Sequence, residues 1–234
     1  MDIPGIIMHQ SIEVCLSPRD HLVREWELFQ FVEAGTGGRH YRIWEASRPV
    51  VVVGRSCRLA DQVNQDACEA DRIDVLHRCS GGGAVVLAPG CLNYAIALSL
   101  VSRPELTEVI SSFRFILGQI ARSLSVPGLS IAADTDLVLN GRKVSGNAQR
   151  RGRCALLHHG TLLHRFDPRL AVRYLEEPAR QPAYRAARQH SEFIGNLPLS
   201  AATLRARLEA ALSCVGTEHV HGAAEVAPDD QPQP

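Results

Sequence analysis

Apolar positions along the chain change their period several times, and each change marks an element. In residues 18–34, Leu22, Trp26, Phe29 and Val32 recur at helical spacing and the run stops at Gly35, predicting an amphipathic helix on a sheet. HYRIWEA (40–46) and PVVVVGR (49–55) read as strands, the second a continuous β-branched run suited to the centre of a sheet. A polar helix is predicted over about 59–71. Residues 73–100 carry two strand-like runs around Ser80-Gly81-Gly82-Gly83 and a third after Pro89-Gly90. Ser102-Arg103-Pro104-Glu105 has the form of a capping box. It opens a helix with Leu106, Val109, Ile110, Phe113, Ile116, Leu117, Ile120 and Leu124 on one face. A strand over 154–163 contains Gly160, a sign of close approach by a ligand or another backbone. Residues 167–177 and 200–215 predict short amphipathic helices, separated by an arginine- and proline-rich stretch, 181–197. The expectation is one domain over 1–221 and, without large apolar side chains after Gly222, a disordered tail over 222–234.

Residues 134–148 (DTDLVLNGRKVSGNA) form the strongest hairpin signal, because Asn140-Gly141 tolerates positive φ at both turn positions. A two-residue turn pairs Leu139 with Arg142, Val138 with Lys143, Leu137 with Val144 and Asp136 with Ser145. Strand alternation then puts Asp136, Lys143 and Ser145 on one face, with Leu137, Leu139 and Val144 behind. Lys143 is the only lysine among 25 lysines and arginines. Codon bias alone would leave a lone lysine on a solvated strand. Against that stands its chemistry: a point charge on a flexible stem follows a moving phosphate or carbonyl, as a planar guanidinium does not.

Composition narrows the classes. The chain has 234 residues, 45% hydrophobic and 21% charged, with zero formal net charge. That is a soluble globular profile without the overall field of a nucleic-acid binder, although Arg142, Arg150, Arg151 and Arg153 form a local cluster. There is no 18-residue apolar run and no basic leader at the N-terminus, so no membrane association and a cytoplasmic location are expected. Seven scattered cysteines without a C-x-x-C argue against a disulfide framework or zinc cluster. Three glycines after Ser80 open backbone N–H groups to a ligand. They belong to neither a P-loop nor a dinucleotide fingerprint, since no Gly-Lys-Ser/Thr and no helix follows.

Taken in order, Arg78-Cys-Ser80-Gly81-Gly82-Gly83, then Asp136…Gly141-Arg-Lys143-Val-Ser145-Gly146-Asn-Ala148-Gln149, then His158-His159-Gly160-Thr161-Leu162-Leu163 closely resemble the lipoate–protein ligase and octanoyl/lipoyl transferase family, related to biotin–protein ligase catalytic domains. The resemblance spans residues 18–197. It implies an α+β fold, a mixed, largely antiparallel sheet flanked by helices, related to class II aminoacyl-tRNA synthetase catalytic domains. It further implies ATP and Mg²⁺, lipoate or octanoate as substrate, an acyl-adenylate, and a lysine acceptor on a lipoyl-domain protein, either a 2-oxoacid dehydrogenase subunit or the glycine-cleavage H protein. The family's active-site lysine falls on Lys143, and its ligand-covering loop on Gly81, Gly82 and Gly83 beside Arg78 and Ser80. Substrate or adenylate contacts are implied for Asp136, Ser145, Gly146, Ala148, His159, Gly160 and Thr161. Asp136 is also the candidate for a phosphate-bound Mg²⁺, and Val85, Leu157 and Leu163 are candidates for an acyl tunnel.

The pattern departs from the family at His77, where a first arginine is usual, at Leu87-Ala88 in place of His-Asp, at Thr135 in place of Asn, and at Cys57 in place of Gln. These positions bear on acyl specificity and ATP affinity. Only 38 residues follow Asn196, so the separate C-terminal accessory domain of larger ligases is expected to be absent and a separate accessory subunit is a candidate partner. Transferase branches carry a nucleophilic cysteine before the lysine hairpin or after the His-Gly strand. Here those regions read Ser130-Ile-Ala-Ala133 and Phe166-Asp-Pro168, which favours an ATP-dependent ligase over an ATP-independent transferase. A non-catalytic acyl-adenylate or acyl-carrier binding protein is the third reading, opposed by the retention of Lys143, Asp136 and the glycine loop.

Overall fold

A computed structural model describes residues 16–35 and 40–217; the tail expected over 222–234 lies outside them. Helix α1 (Pro18–Glu33) starts at a Ser17–Asp20 capping box. Its buried face is His21, Glu25, Phe29 and Val32, one position round from the predicted stripe, so Leu22 and Trp26 are half-buried. The shift puts a carboxylate inside. Strands β1 (His40–Glu45) and β2 (Val50–Val53) follow as expected. The polar helix predicted next is a single 3₁₀ turn, Leu59–Asp61, and a short α2 (Gln65–Ala70) capped by Asn64. Then come β3 (Val75–His77), β4 (Ala84–Leu87) and β5 (Cys91–Ser99).

Helix α3 spans Val109–Leu124. The predicted box at Ser102 does not start it. Pro104–Leu106 makes one 3₁₀ turn, Arg151 takes the carbonyls of Leu106 (2.6 Å) and Thr107 (2.7 Å), and Glu108 caps the helix by accepting from the Ile110 and Ser111 amides. Val109 and Ile110 are accordingly exposed, and the buried face begins at Ser112. The chain continues through β6 (Ser130–Ala132), β7 (Asp136–Leu139), β8 (Arg142–Arg151) and β9 (Ala155–Leu163). Helices α4 (Pro168–Tyr174), α5 (His190–Phe193) and α6 (Ala201–Thr217) complete it. At 17 residues α6 is not short.

Among the described residues the strands form two sheets. One is six-stranded in the order β1-β5-β9-β8-β7-β6, antiparallel throughout. The other is three-stranded, β3-β2-β4, with the all-valine β2 central, parallel to β3 and antiparallel to β4. This is the expected mixed, largely antiparallel α+β architecture. Alternation along β5 explains the layering: Leu92, Tyr94, Ile96 and Leu98 face a core with α3 and α6, while Ala95 and Ala97 face Phe29 and Val32 of α1. Alanines there let the helix lie close to the sheet. Among the described residues no helix is long and apolar enough to cross a membrane.

The Asn140-Gly141 turn has φ of +50° and +72°, as a two-residue hairpin requires. Leu139 pairs with Arg142 and Val138 with Lys143, as expected, but the register then slips: Leu137 faces Ser145 and Asp136 faces Gly146. The predicted pairs Leu137–Val144 and Asp136–Ser145 do not form. Val144 is the extra residue of a bulge, buried with Leu137 and Leu139. Beside the bulge β8 has a tertiary partner, since the Lys143 carbonyl accepts from Gly195 N–H at 2.9 Å next to the Lys143–Ile194 bridge.

Candidate active site

A cleft of about 940 Å³ lies between the two sheets. Its walls include Arg78, Gly82, Gly83, Asp136, Lys143, Ser145, Gly146, Ala148, His159, Gly160 and Thr161, so residues far apart in sequence meet as the motif order implied. Ser80 is buried behind the wall, and Gly81 is exposed outside it. Val85 and Leu163 line the cleft, whereas Leu157 packs under α1.

Beside Arg78, Arg180 and Arg185 in the cleft wall, one of the cations is Lys143. Its Nζ lies 2.9 Å from Asp136 Oδ1, with the lysine side chain 30% exposed and the aspartate 4%. Gly146 makes this possible: a Cβ there would stand 2.9 Å from Lys143 Cε and 3.1 Å from Nζ. The bulge that moved Gly146 opposite Asp136 therefore creates the channel in which the lysine lies. Asp136 also accepts from Thr135 Oγ1 at 3.2 Å and, on Oδ2, from the Tyr184 hydroxyl at 2.6 Å. Burial and the adjacent Asp136 carboxylate push the Tyr184 phenol up, keeping it a donor. Three donors therefore converge on the buried Asp136 carboxylate, the Lys143 ammonium among them.

The glycine loop is held from within. The Arg78 guanidinium donates to Ser80 Oγ (3.0 Å), to the Gly81 carbonyl (2.7 Å) and to the Gly83 carbonyl (3.0 Å). Gly82 has φ +94°, and a Cβ there would meet Arg78. Arg78 therefore shapes the loop through its carbonyls. Behind it runs a buried chain. Ser80 Oγ donates to His159 Nε2 (2.6 Å), His159 Nδ1–H to Glu25 Oε2 (2.6 Å), and Trp44 Nε1–H to Glu25 Oε1 (3.0 Å). Here the proton positions are assigned from the partners. Ser–His–Glu is the order of a hydrolase triad, but Ser80 is 1% exposed and already accepts from Arg78. The chain instead fastens the loop to α1 and β1.

Gly160 answers to a neighbour. A Cβ there would run into Asn147 Oδ1 and lie 2.9 Å from the Gly146 carbonyl. Asn147 is a hub: its Oδ1 accepts from Tyr94 OH at 2.6 Å, and its Nδ2 donates to Thr135 O at 2.7 Å and Ser145 Oγ at 3.0 Å. It fixes the backbone just ahead of Asp136, where Ala133 and Asp134 both have positive φ. On the other side of Tyr94, His158 is pushed down to about 3 by burial, with His159 adding to the effect. It stays neutral, receiving Gln149 Nε2–H on Nδ1. Thr161 Oγ1 accepts the Gly146 N–H at 3.3 Å, and Ala148 pairs with His159.

Glu25, Trp44, Asn147 and Tyr184 escaped the sequence reading. Only Glu25 left a signal, a carboxylate spaced i, i+4 with His21 and Phe29 on a helix face. Of the family departures, Leu87 and Thr135 line the cleft, Ala88 is fully buried, and His77 and Cys57 lie outside the lining. None of the described residues lining the cleft is a cysteine. Beside the glycine loop, Cys79 is pushed up to about 11 by burial, and Cys91 up to about 12. Neither is set up as a thiolate nucleophile.

The chain is 28% identical over 131 residues to the lipoate–protein ligase LplJ of Bacillus subtilis, covering 55% of this chain and 38% of that one. It is 27% identical over 184 residues to the octanoyltransferase LipM of an Exiguobacterium species, covering 68% of this chain and 66% of that one. It thus spans less than half the length of the ligase relative. In fold it resembles the bi-partite lipoate protein ligase of Thermoplasma acidophilum, with a TM-score of 0.69 at 20% identity over 83% of this chain and 77% of that one. The model of the lipoyl protein ligase A/B catalytic domain matches residues 17–205, and the chain belongs to that family.

Proposed function

We propose that the chain is the catalytic unit of an ATP-dependent lipoate–protein ligase. The observation that carries this reading is the Lys143–Asp136 pair facing the glycine loop across a cleft with no cysteine among its described lining residues. Attack of the lipoate carboxylate on the α-phosphorus of ATP forms the mixed anhydride and expels pyrophosphate. Negative charge grows on the phosphoryl oxygens, and the Lys143 ammonium answers it, such positioning and electrostatics being the main catalytic terms in phosphoryl transfer. The glycine-loop amides add hydrogen bonds, and the apolar wall at Leu22, Trp44 and Leu163 suits the acyl chain. An acceptor lysine then attacks the carbonyl, forming the amide, losing a proton and releasing AMP. Seclusion in the cleft protects the anhydride from water in the interval. Mg²⁺ would enter with the nucleotide.

The proposed acceptor is a lipoyl domain of a 2-oxoacid dehydrogenase subunit or the glycine-cleavage H protein. A separate accessory subunit is proposed to assist activation, by analogy with the bi-partite relative. Similarity to an octanoyltransferase supports a second reading, transfer from octanoyl-acyl-carrier protein without ATP. One experiment separates them. The chain is mixed with lipoate or octanoate, ATP, Mg²⁺ and an apo lipoyl domain, and acceptor mass and pyrophosphate are followed. Modification with stoichiometric pyrophosphate is expected. Modification from octanoyl-acyl-carrier protein without ATP would replace the ligase reading with the transferase one.

A further inference from the structure

Residues 176–189, between α4 and α5, run along the cleft as a strap. Its start is pinned by Glu176 N–H to Gln62 O at 3.0 Å. Inside it, Arg185 pairs with Glu177, and Arg188 donates to the Tyr184 carbonyl at 2.8 Å. Two side chains reach out of the strap to the lysine hairpin: Arg188 to the Gly141 carbonyl at 2.9 Å, and Tyr184 to Asp136 Oδ2 at 2.6 Å. The Tyr184 ring packs on Phe193 at 5.2 Å, a contact that phenylalanine would make equally well. The hydroxyl is thus separable from the packing, and it ends on the one carboxylate that also receives the Lys143 ammonium.

We propose that Tyr184 is a positioning residue for Lys143. Its hydroxyl fixes Asp136 in the orientation that receives the ammonium, and the same bond ties the strap over the cleft. Lifting the strap and loosening Lys143 are therefore one event. A raised strap would leave the lysine mobile, and strap closure would re-aim it. The catalytic meaning of that coupling rests on the reading of Lys143 given above, whereas the coupling itself does not.

The chain has a single lysine, so amine chemistry reports on Lys143 alone once the N-terminal amine is separated by peptide mass. The exposed Arg180 and half-buried Arg188 provide trypsin sites in the strap. In Tyr184→Phe, cleavage after Arg180 and Arg188, and acetylation of Lys143 by an N-hydroxysuccinimide ester, are both expected to rise by about tenfold, the scale of one hydrogen bond to a charged group. Asp136→Asn should raise strap cleavage to the same level, which keeps the test decisive if one variant folds poorly. Wild-type rates in Tyr184→Phe would overturn the proposal, as would faster cleavage with unchanged Lys143 acetylation. In the adenylation assay, Tyr184→Phe should lower kcat/KM for ATP in the wild type and add nothing in a Lys143→Met background; additive losses would also overturn it. If the wild type adenylates nothing, the ligase reading falls while proteolysis and acetylation still decide the coupling.

Discussion

Gly160 and Asn147 yield a prediction that depends on no assumption about substrate. Gly160→Ala puts a methyl group where Asn147 Oδ1 sits. The amide must leave, and with it go the bonds to Tyr94 OH, Thr135 O and Ser145 Oγ. At about 1 kcal/mol net for each bond, plus about 1–2 kcal/mol for forcing a group into a packed site, Gly160→Ala should cost about 4–5 kcal/mol. Asn147→Ala loses the same bonds without the clash and should cost about 3 kcal/mol. The double variant is the discriminating one. With Asn147 trimmed, the clash with its amide is gone and only the 2.9 Å approach to the Gly146 carbonyl remains, so the pair should cost about 4–5 kcal/mol, not the roughly 7–8 kcal/mol of simple addition. Urea unfolding followed by far-UV circular dichroism gives each value from the midpoint and slope. Additive costs, or a Gly160→Ala penalty below about 1 kcal/mol, would refute the claim that this glycine exists to admit the amide.

Other outcomes follow from the same geometry. Lys143→Arg should lower adenylation by about 10²–10³-fold, as loss of one preorganised charge contact does, because the planar fork does not fit the channel over Gly146; a pyrophosphate-release assay near the wild-type rate would contradict the assigned role. Gly146→Ala should shift only the flexible end of Lys143, costing less than about 1 kcal/mol in unfolding experiments but at least about tenfold in adenylation, since a charged hydrogen bond to Asp136 is strained. His158 has a folded pKa near 3 against an ordinary 6.5, so the unfolded chain binds the extra proton between those values. Stability contributed by neutral His158 is full above pH 6.5 and lost as pH falls, by about 2 kcal/mol at pH 5. Denaturation midpoints at pH 7 and 5 should differ less in His158→Gln; an identical pH slope in that variant would count against burial as the cause.

What the sequence determined by itself was local. Asn140-Gly141 closes its hairpin because two adjacent positive-φ positions leave few alternatives. The valine run makes a central strand because β-branched side chains buried on both faces belong nowhere else. Lys143, Asp136 and the glycine loop were legible as chemistry because rare residue types stood in a telling order. Tertiary structure decided the rest. The bulge at Val144 lies where Gly195 takes the Lys143 carbonyl, a contact 52 residues away in sequence that no hairpin pattern encodes. It moved Gly146, not Ser145, opposite Asp136, and so cleared the path of the lysine. Glu25 points inward because α1 turns one position from its apolar stripe to meet Trp44 and His159, where a buried carboxylate finds donors for both oxygens. Tyr184 lies in a stretch that reads as irregular, and only the strap's path along the cleft brings its hydroxyl to Asp136. Periodicity reports which side of an element is buried; the partners that satisfy buried polar groups come from elsewhere in the chain, and their positions exist only once the fold has closed.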